Sequence, residues 1–191
     1  MIRNFCVLDL LDVLLDLNDR RLLVVPDVAA PLGEPSEIGE RLQTFDRLHT
    51  SSRGGSPEAS RALAATHSLK AFLNKIGGEV VVLEPSPQAQ KLARRLLNPT
   101  MDDRQAFGLR VRRLSAADAV SLAVALDMKA GFATDDKAAA SVYIKLGGHQ
   151  HKWTLDMFRD AVTKKLIGES QARQGYQRLL ETERFRGIKW D

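Results

Sequence analysis

The segment LSAADAVSLAVALDMKAGFATDD, Leu114 to Asp136, packs three elements into one short stretch. From Ser115 the residues are apolar on nearly every side, which predicts a buried helix ending near Gly131. Phe132 to Thr134 reads as a short strand, and Asp136 to Leu146 as the next helix. A helix apolar all round, followed at once by a strand and another helix, belongs between sheet and covering layer. Acids fall at both corners of this unit. Asp118 stands in the first helical turn, where Ser115-x-x-Asp118 is by itself a capping box. Asp135 and Asp136 follow the strand, where an aspartate is a routine N-cap. Jointly they imply more, because the two corners meet at one sheet edge. Carboxylates gathered there repel each other unless a cation neutralises them. Hard oxygen donors without cysteine or histidine nearby favour Mg²⁺ or Mn²⁺ over zinc.

Outward from this block the same alternation continues. Arg21–Val25 and Glu79–Leu83 read as short buried strands. Helices are expected at Glu37–Leu48, Pro57–Ile76, Ser86–Leu97, Leu155–Leu166 and Glu169–Glu183, with loops at 50–57 and at Thr100–Gly108. In residues 5–17 the apolar positions Val7, Leu10, Leu11, Leu14 and Leu15 have helical spacing, leaving Asp9, Asp12 and Asp16 toward water. Strands alternating with helices predict an α/β protein, a three-layer α/β/α sandwich around a central parallel sheet. One domain is expected over 1–191, with a core at about 5–150 and a C-terminal helical pair at about 154–191. Ligands in such folds bind beyond the carboxyl ends of the strands.

Composition narrows the classes. At 191 residues the chain can build its own core without staples. The single cysteine, Cys6, reads as a small buried hydrophobe. No apolar run is long enough for a membrane span, Phe5–Leu17 lacks the flanks of a signal peptide, and a cytoplasmic location is expected. The net charge of +4 is too mild to demonstrate nucleic-acid binding. Between Lys91 and Arg113, however, Lys91, Arg94, Arg95, Arg104, Arg110, Arg112 and Arg113 face only Asp102 and Asp103. That run is either a solvated helix face with its loop or a phosphate-facing rim.

The 114–136 block resembles the C-terminal half of PIN domains, a family of metal-dependent ribonucleases that includes VapC-type toxins. Asp118 matches the acid that opens the family's buried helix, and Thr134 and Asp136 match its Thr-x-Asp, with Asp135 at the variable position. More loosely, LLDVLLDLNDRRLLVVPDVA resembles the family's first helix and second strand, and the tail from Thr154 resembles the helical pair of a bacterial PIN branch. The resemblance implies hydrolysis of single-stranded RNA, leaving a 3′-hydroxyl and a 5′-phosphate. Asp118 and Asp136 would hold Mg²⁺ or Mn²⁺, with Asp135 assisting and Thr134 orienting a carboxylate or water. Arg104, Arg110, Arg112 and Arg113 are the expected contacts to the RNA backbone. A small antitoxin or a homodimer partner is the expected protein contact, with the apolar tail helices as its surface. A catalytically inactive PIN-fold module for RNA or protein binding is the alternative.

Two departures favour that alternative. PIN domains begin with a strand ending in a ligand Asp. Either Val7-Leu8-Asp9 is that strand, or residues 5–17 are already the first helix and the strand belongs ahead of Met1. The periodicity favours the second register. After Pro26, Ala30 and Pro31 occupy the positions of a family Glu, and Glu34 is the nearest acid.

The remaining signals have plainer readings. His149 and His151 form an H-x-H without a third ligand, read as solvated loop or edge strand; His49 and His67 are isolated. Gly77-Gly78 and Gly147-Gly148 lack the spacing of a nucleotide cradle. Trp153 and Trp190 could stack bases, but packing is the simpler role.

Overall fold

The computed structural model describes residues 1–30, 34–51, 57–109, 114–182 and 190. Pro31, the centre of the 50–57 loop, Arg110, Arg112, Arg113 and the end of the last helix at Glu183 lie outside the described residues, as does the side chain of His49. In chain order the elements are α1 (Ile2–Val7), α2 (Leu11–Leu17), β1 (Leu22–Val24), α3 (Glu37–Ser51), α4 (Pro57–Leu73), β2 (Val80–Val82) and α5 (Pro87–Leu97). Then follow α6 (Met101–Phe107), α7 (Ala116–Asp127), β3 (Phe132–Ala133), α8 (Lys137–Lys145), β4 (His151–Lys152), α9 (Thr154–Thr163) and α10 (Glu169–Thr182).

The protein is α/β and mostly helical. Its described strands form two separate two-stranded parallel sheets, β1 with β2 and β3 with β4. Leu22, Leu23 and Val24 pair with Val80, Val81 and Val82. Phe132 and Ala133 pair with His151 and Lys152.

Residues 5–17 are helical in character but split in two. Asp9 adopts φ +58°. Its N–H donates to the Cys6 carbonyl at 3.1 Å, and the Leu10 N–H to the Phe5 carbonyl at 2.8 Å. These paired bonds are a Schellman closure, so Val7-Leu8-Asp9 is not a strand and that register is corrected. The split serves two cores at once. Phe5, Leu10 and Leu14 pack with Phe158, Tyr176 and Leu179 of the tail helices. Cys6, Leu11 and Leu15 pack with Leu69, Phe72 and Val80. Cys6 is 1% exposed, and burial pushes its thiol up to about 12. The tail helices thus spend their apolar faces within the chain.

The expected loop at Thr100–Gly108 is also corrected: it contains α6. Thr100 caps the helix by accepting the Asp103 N–H at 3.1 Å, and Asp103 returns the bond to the Thr100 N–H at 3.2 Å. Polar residues that read as loop are therefore a capping box, and Phe107 is buried beneath them. Arg95 grips Asp103 through Nε and Nη2, at 2.9 and 2.5 Å, and holds its carboxyl below the usual range. One cation of the Lys91–Arg113 run is accordingly part of the scaffold. Arg104 lies half-buried on α6.

Helix α7 is buried as its composition requires. Ala119 and Leu122 join the cluster of Leu96, Phe132, Val142 and Tyr143, while Val120, Ala123 and Val124 pack against Val25, Ala89 and Ala93. The second glycine pair has a packing role. Gly147 closes α8 at φ +90°, and a Cβ on Gly148 would lie 2.3 Å from the Tyr143 ring. Trp190 packs near Tyr176 and Phe158, at ring separations of 5.8 and 6.4 Å. Trp153 meets His151 edge-on at 4.4 Å. Among the described residues, no helix is long and apolar enough to cross a membrane.

Candidate functional site

The site grows from the carboxyl end of β3. Thr134 follows that strand, buried, and its N–H continues the ladder to the Lys152 carbonyl at 3.2 Å. Its own carbonyl lies 3.1 Å from His151 Nε2, which therefore carries a proton there. That bond gives His151 a local role on β4, in keeping with its reading as a strand residue.

The Thr134 hydroxyl joins the two corners. It donates to Asp118 Oδ1 at 3.1 Å and accepts the Asp136 N–H at 3.1 Å. Asp118 takes a second hydroxyl: Ser115 Oγ accepts the Asp118 N–H at 3.0 Å and donates to Asp118 Oδ2 at 2.7 Å. Ser115 caps α7 as expected, but the Asp118 carboxylate bonds side-chain hydroxyls rather than a backbone amide. It is held in orientation without being consumed as a cap.

Asp136 does serve as a cap. Its Oδ1 accepts from Ala138 N–H at 2.7 Å and Ala139 N–H at 3.0 Å, at the start of α8. Even so, Asp136 lies close enough for its charge to act on Asp118. Burial is the largest cause raising the Asp118 pKa above its ordinary value, and the charges of Asp136 and Glu37 raise it further. The hydrogen bonds from Ser115 and Thr134 act in the opposite direction.

Glu37 is the acid that sequence reasoning passed over. It opens α3, and its N–H donates to the Asp27 carbonyl at 2.9 Å, which holds it beyond the carboxyl end of β1. Glu34, the acid nearest the family position, is exposed. The usable signal was an acid in the first turn of a helix that starts after a strand, six to seven residues beyond Ala30 and Pro31, which occupy the family positions. Glu37 also pairs with Arg41 at 2.8 Å. Together with Asp118 and Thr134 it lines a cleft of about 480 Å³ between the two sheets.

Asp135 goes elsewhere. Its carboxylate accepts the Thr154 N–H at 2.9 Å, the Thr154 hydroxyl at 2.5 Å and Asn4 Nδ2 at 3.2 Å. Alternation along an extended segment puts Thr134 and Asp136 on one side and Asp135 on the other. Sequence reasoning missed Asn4 and Thr154, polar residues whose neighbours read as a plain apolar helix and a helix start.

Asp118, Thr134 and Asp136 thus converge, with Glu37 in electrostatic reach. The donors are hard oxygens, and a half-buried carboxylate under like charge fits a hard divalent cation in chemistry. Among the described residues no group of three acids, histidines or cysteines is arranged to hold a metal ion. No protein-family model matches the sequence, and no characterised protein or solved structure shows a significant match to it.

Proposed function

We propose that the protein is a divalent-metal-dependent endoribonuclease of PIN type, acting on single-stranded RNA in the cytoplasm. In this reading the two parallel sheets are halves of one central sheet in a three-layer α/β/α sandwich. The observation that carries the proposal is the Thr134 hydroxyl, which links Asp118 to the segment holding Asp136 at the mouth of a cleft, under the added charge of Glu37. Asp118 and Asp136 would hold Mg²⁺ or Mn²⁺. Such an ion, when bound, activates water and steadies charge on a phosphodiester. Ser115 and Thr134 orient the two oxygens of Asp118, the α8 amides fix Asp136, and His151 braces the Thr134 carbonyl. Arg104, with Arg110, Arg112 and Arg113, would contact the RNA backbone and make binding salt-dependent.

The test is cleavage of a fluorogenic single-stranded RNA with Mn²⁺ or Mg²⁺, comparing wild type with Asp118→Asn and Asp136→Asn. Cleavage by wild type, reduced at least about a hundredfold in each variant, supports the assignment. Equal signals from all three overturn it.

A second reading, a catalytically silent module that binds RNA or protein, is favoured by one observation. Asp136 Oδ1 and the Asp135 carboxylate are committed to backbone amides and side chains of the scaffold. RNA retention without cleavage at any metal concentration would select it. A role as the toxin of a toxin–antitoxin pair would appear as growth arrest on expression, relieved by one small neighbouring protein.

A further inference from the structure

Glu37 to Leu42 read Glu-Ile-Gly-Glu-Arg-Leu, and helical spacing sorts them into stripes along α3. Ile38 and Leu42 pack with Leu69, Phe72 and Val80. That packing turns the neighbouring stripe, Glu37 and Arg41, to the cleft that Asp118 and Thr134 also line. Arg41 reaches back one turn and sets two donors on a single oxygen, Nε at 3.1 Å and Nη2 at 2.8 Å from Glu37 Oε1.

The pair is a loose one. A guanidinium meets a carboxylate or phosphate best as a fork, with parallel bonds to two oxygens. Here Arg41 Nη1 and Glu37 Oε2 take no part. Both side chains are nearly half exposed, at 45% and 44%, so solvent screens the pair and it holds Arg41 weakly.

The charge of the cleft is the second observation. Asp136 and Glu37 both act on Asp118 there. A phosphodiester that approaches these acids is repelled unless a cation meets it. Arg104 does not line the cleft, and Arg95 is held by Asp103. Of the cations that do line it, Lys152 pairs with Asp160 and Lys164 donates to the Leu17 carbonyl at 3.2 Å. Arg21 precedes β1, at the end of that strand opposite the site. Arg41 shares a helix face with Glu37, beside the acids.

The geometry points to Arg41 as the residue that receives a phosphate of single-stranded RNA at the acidic site, leaving Glu37 as it does so. The Glu37 carboxylate acts as a stand-in anion, keeping the guanidinium in place until a phosphate offering two oxygens displaces it. The exchange moves no proton and breaks no covalent bond. The assignment rests on the ribonuclease reading for its substrate, and it adds a contact within the cleft that Arg104, outside it, does not supply.

The test is binding of a short fluorescent single-stranded RNA, followed by anisotropy in EDTA, where cleavage does not intervene, over a range of salt concentrations. Arg41→Gln should weaken binding about tenfold and lower the salt slope by about one. Arg41→Lys should restore the slope but not the full affinity, since lysine carries the charge without the fork. Glu37→Gln should bind the RNA more tightly than wild type, because the competing anion is gone, whereas a purely structural pair gives no gain. Arg47→Gln, exposed on the same helix but outside the cleft, should lose less than Arg41→Gln. Binding unchanged in Arg41→Gln, or no tighter in Glu37→Gln, overturns the assignment, as do equal losses in the Arg41 and Arg47 variants. Inorganic phosphate bound as tightly as the RNA, and lost in Arg41→Gln, assigns Arg41 to free phosphate and overturns its role toward RNA. No RNA bound by wild type also overturns it. In each of these cases the ribonuclease reading stands or falls separately, by whether wild type cleaves RNA and Asp118→Asn does not.

Discussion

Asp118 carries a charge that its surroundings resist. Desolvation and the fields of Asp136 and Glu37 lift its pKa above the ordinary 3.8, outweighing the hydroxyls of Ser115 and Thr134. Below pH 3.8 the carboxyl is protonated in both folded and unfolded chains and costs nothing. As pH rises through the raised folded value, the native state becomes harder to ionise than the unfolded one, and stability is lost. Asp118→Asn keeps an acceptor for one hydroxyl and removes the charge. It should therefore melt at a higher temperature than wild type at pH 7, with the difference shrinking to nothing as pH falls below 3.8. Thermal denaturation at pH 3.5, 5 and 7 checks this. A variant less stable than wild type at pH 7 would show that the two hydroxyl bonds outweigh the desolvated charge. Asp118 and Asp136 could be read from the sequence because corner acids have fixed offsets from strand and helix. Glu37 could not, since its offset depends on how the chain from Asp27 to Ser36 is routed.

Helix ends explain most of the boundaries that the sequence hides. Schellman closures end α1, α2, α7, α8 and α9, with paired bonds such as Ala130 N–H to Ala125 carbonyl at 2.8 Å and Leu166 N–H to Ala161 carbonyl at 2.9 Å. α8 uses Gly147 at the left-handed position, and α6 closes in the same way on Gly108 at φ +71°, with the Leu109 N–H donating to the Arg104 carbonyl at 2.9 Å. The others place Asp9, Asp19, Lys129 and Lys165 there, at φ between +52° and +59°. A reader looking for glycine carries α7 on to Gly131 and runs α1 into α2, because nothing in Asp9 or Lys129 announces a stop. The starts are clearer: Ser86, Thr100, Ser115 and Asp136 each accept a backbone N–H, and only the Thr100 box was mistaken for loop. An L-residue with a Cβ is strained in the left-handed region, lysine more than aspartate. Lys129 is exposed, so Lys129→Gly should raise stability by roughly 0.5–1 kcal/mol after the entropy of glycine is counted, or about 1–4 °C in Tm. Urea denaturation with an unchanged m-value would confirm it; a loss of stability would show that the Lys129 side chain contributes contacts beyond its backbone.

At the scale of the whole molecule, the alternation of strands and helices was readable, and so was the burial of α7. The division into two sheets was not, because hydrophobic periodicity reports that a segment is a strand but not which edge it pairs with. Nor does periodicity show what ties the beginning of the chain to its end. That tie is Asp135: it joins the segment after β3 to the first turn of α9 through Thr154, which is fully buried, and to α1 through Asn4, 5% exposed. Asn4 also donates to Thr154 Oγ1 at 3.1 Å, closing a triangle between residues 131 and 150 positions apart. Directly beside it, Phe5 stacks on Phe158 with ring centroids 5.1 Å apart. Removing the carboxylate would strand the Thr154 N–H and the Asn4 amide in the interior, each costing about 1–3 kcal/mol. Asp135→Ala should therefore lower stability by about 2–5 kcal/mol, and Asn4→Ala by less. The double variant should fall short of the sum, since both remove the same bond. If Asp135 instead assists RNA cleavage directly, its asparagine variant would abolish activity while keeping most of the stability. Melting temperature and cleavage rate measured together on Asp135→Asn and Asp135→Ala separate the roles. A scaffold residue gives cleavage that persists at temperatures where both variants remain folded, and a cleavage-assisting one gives folded, inactive protein.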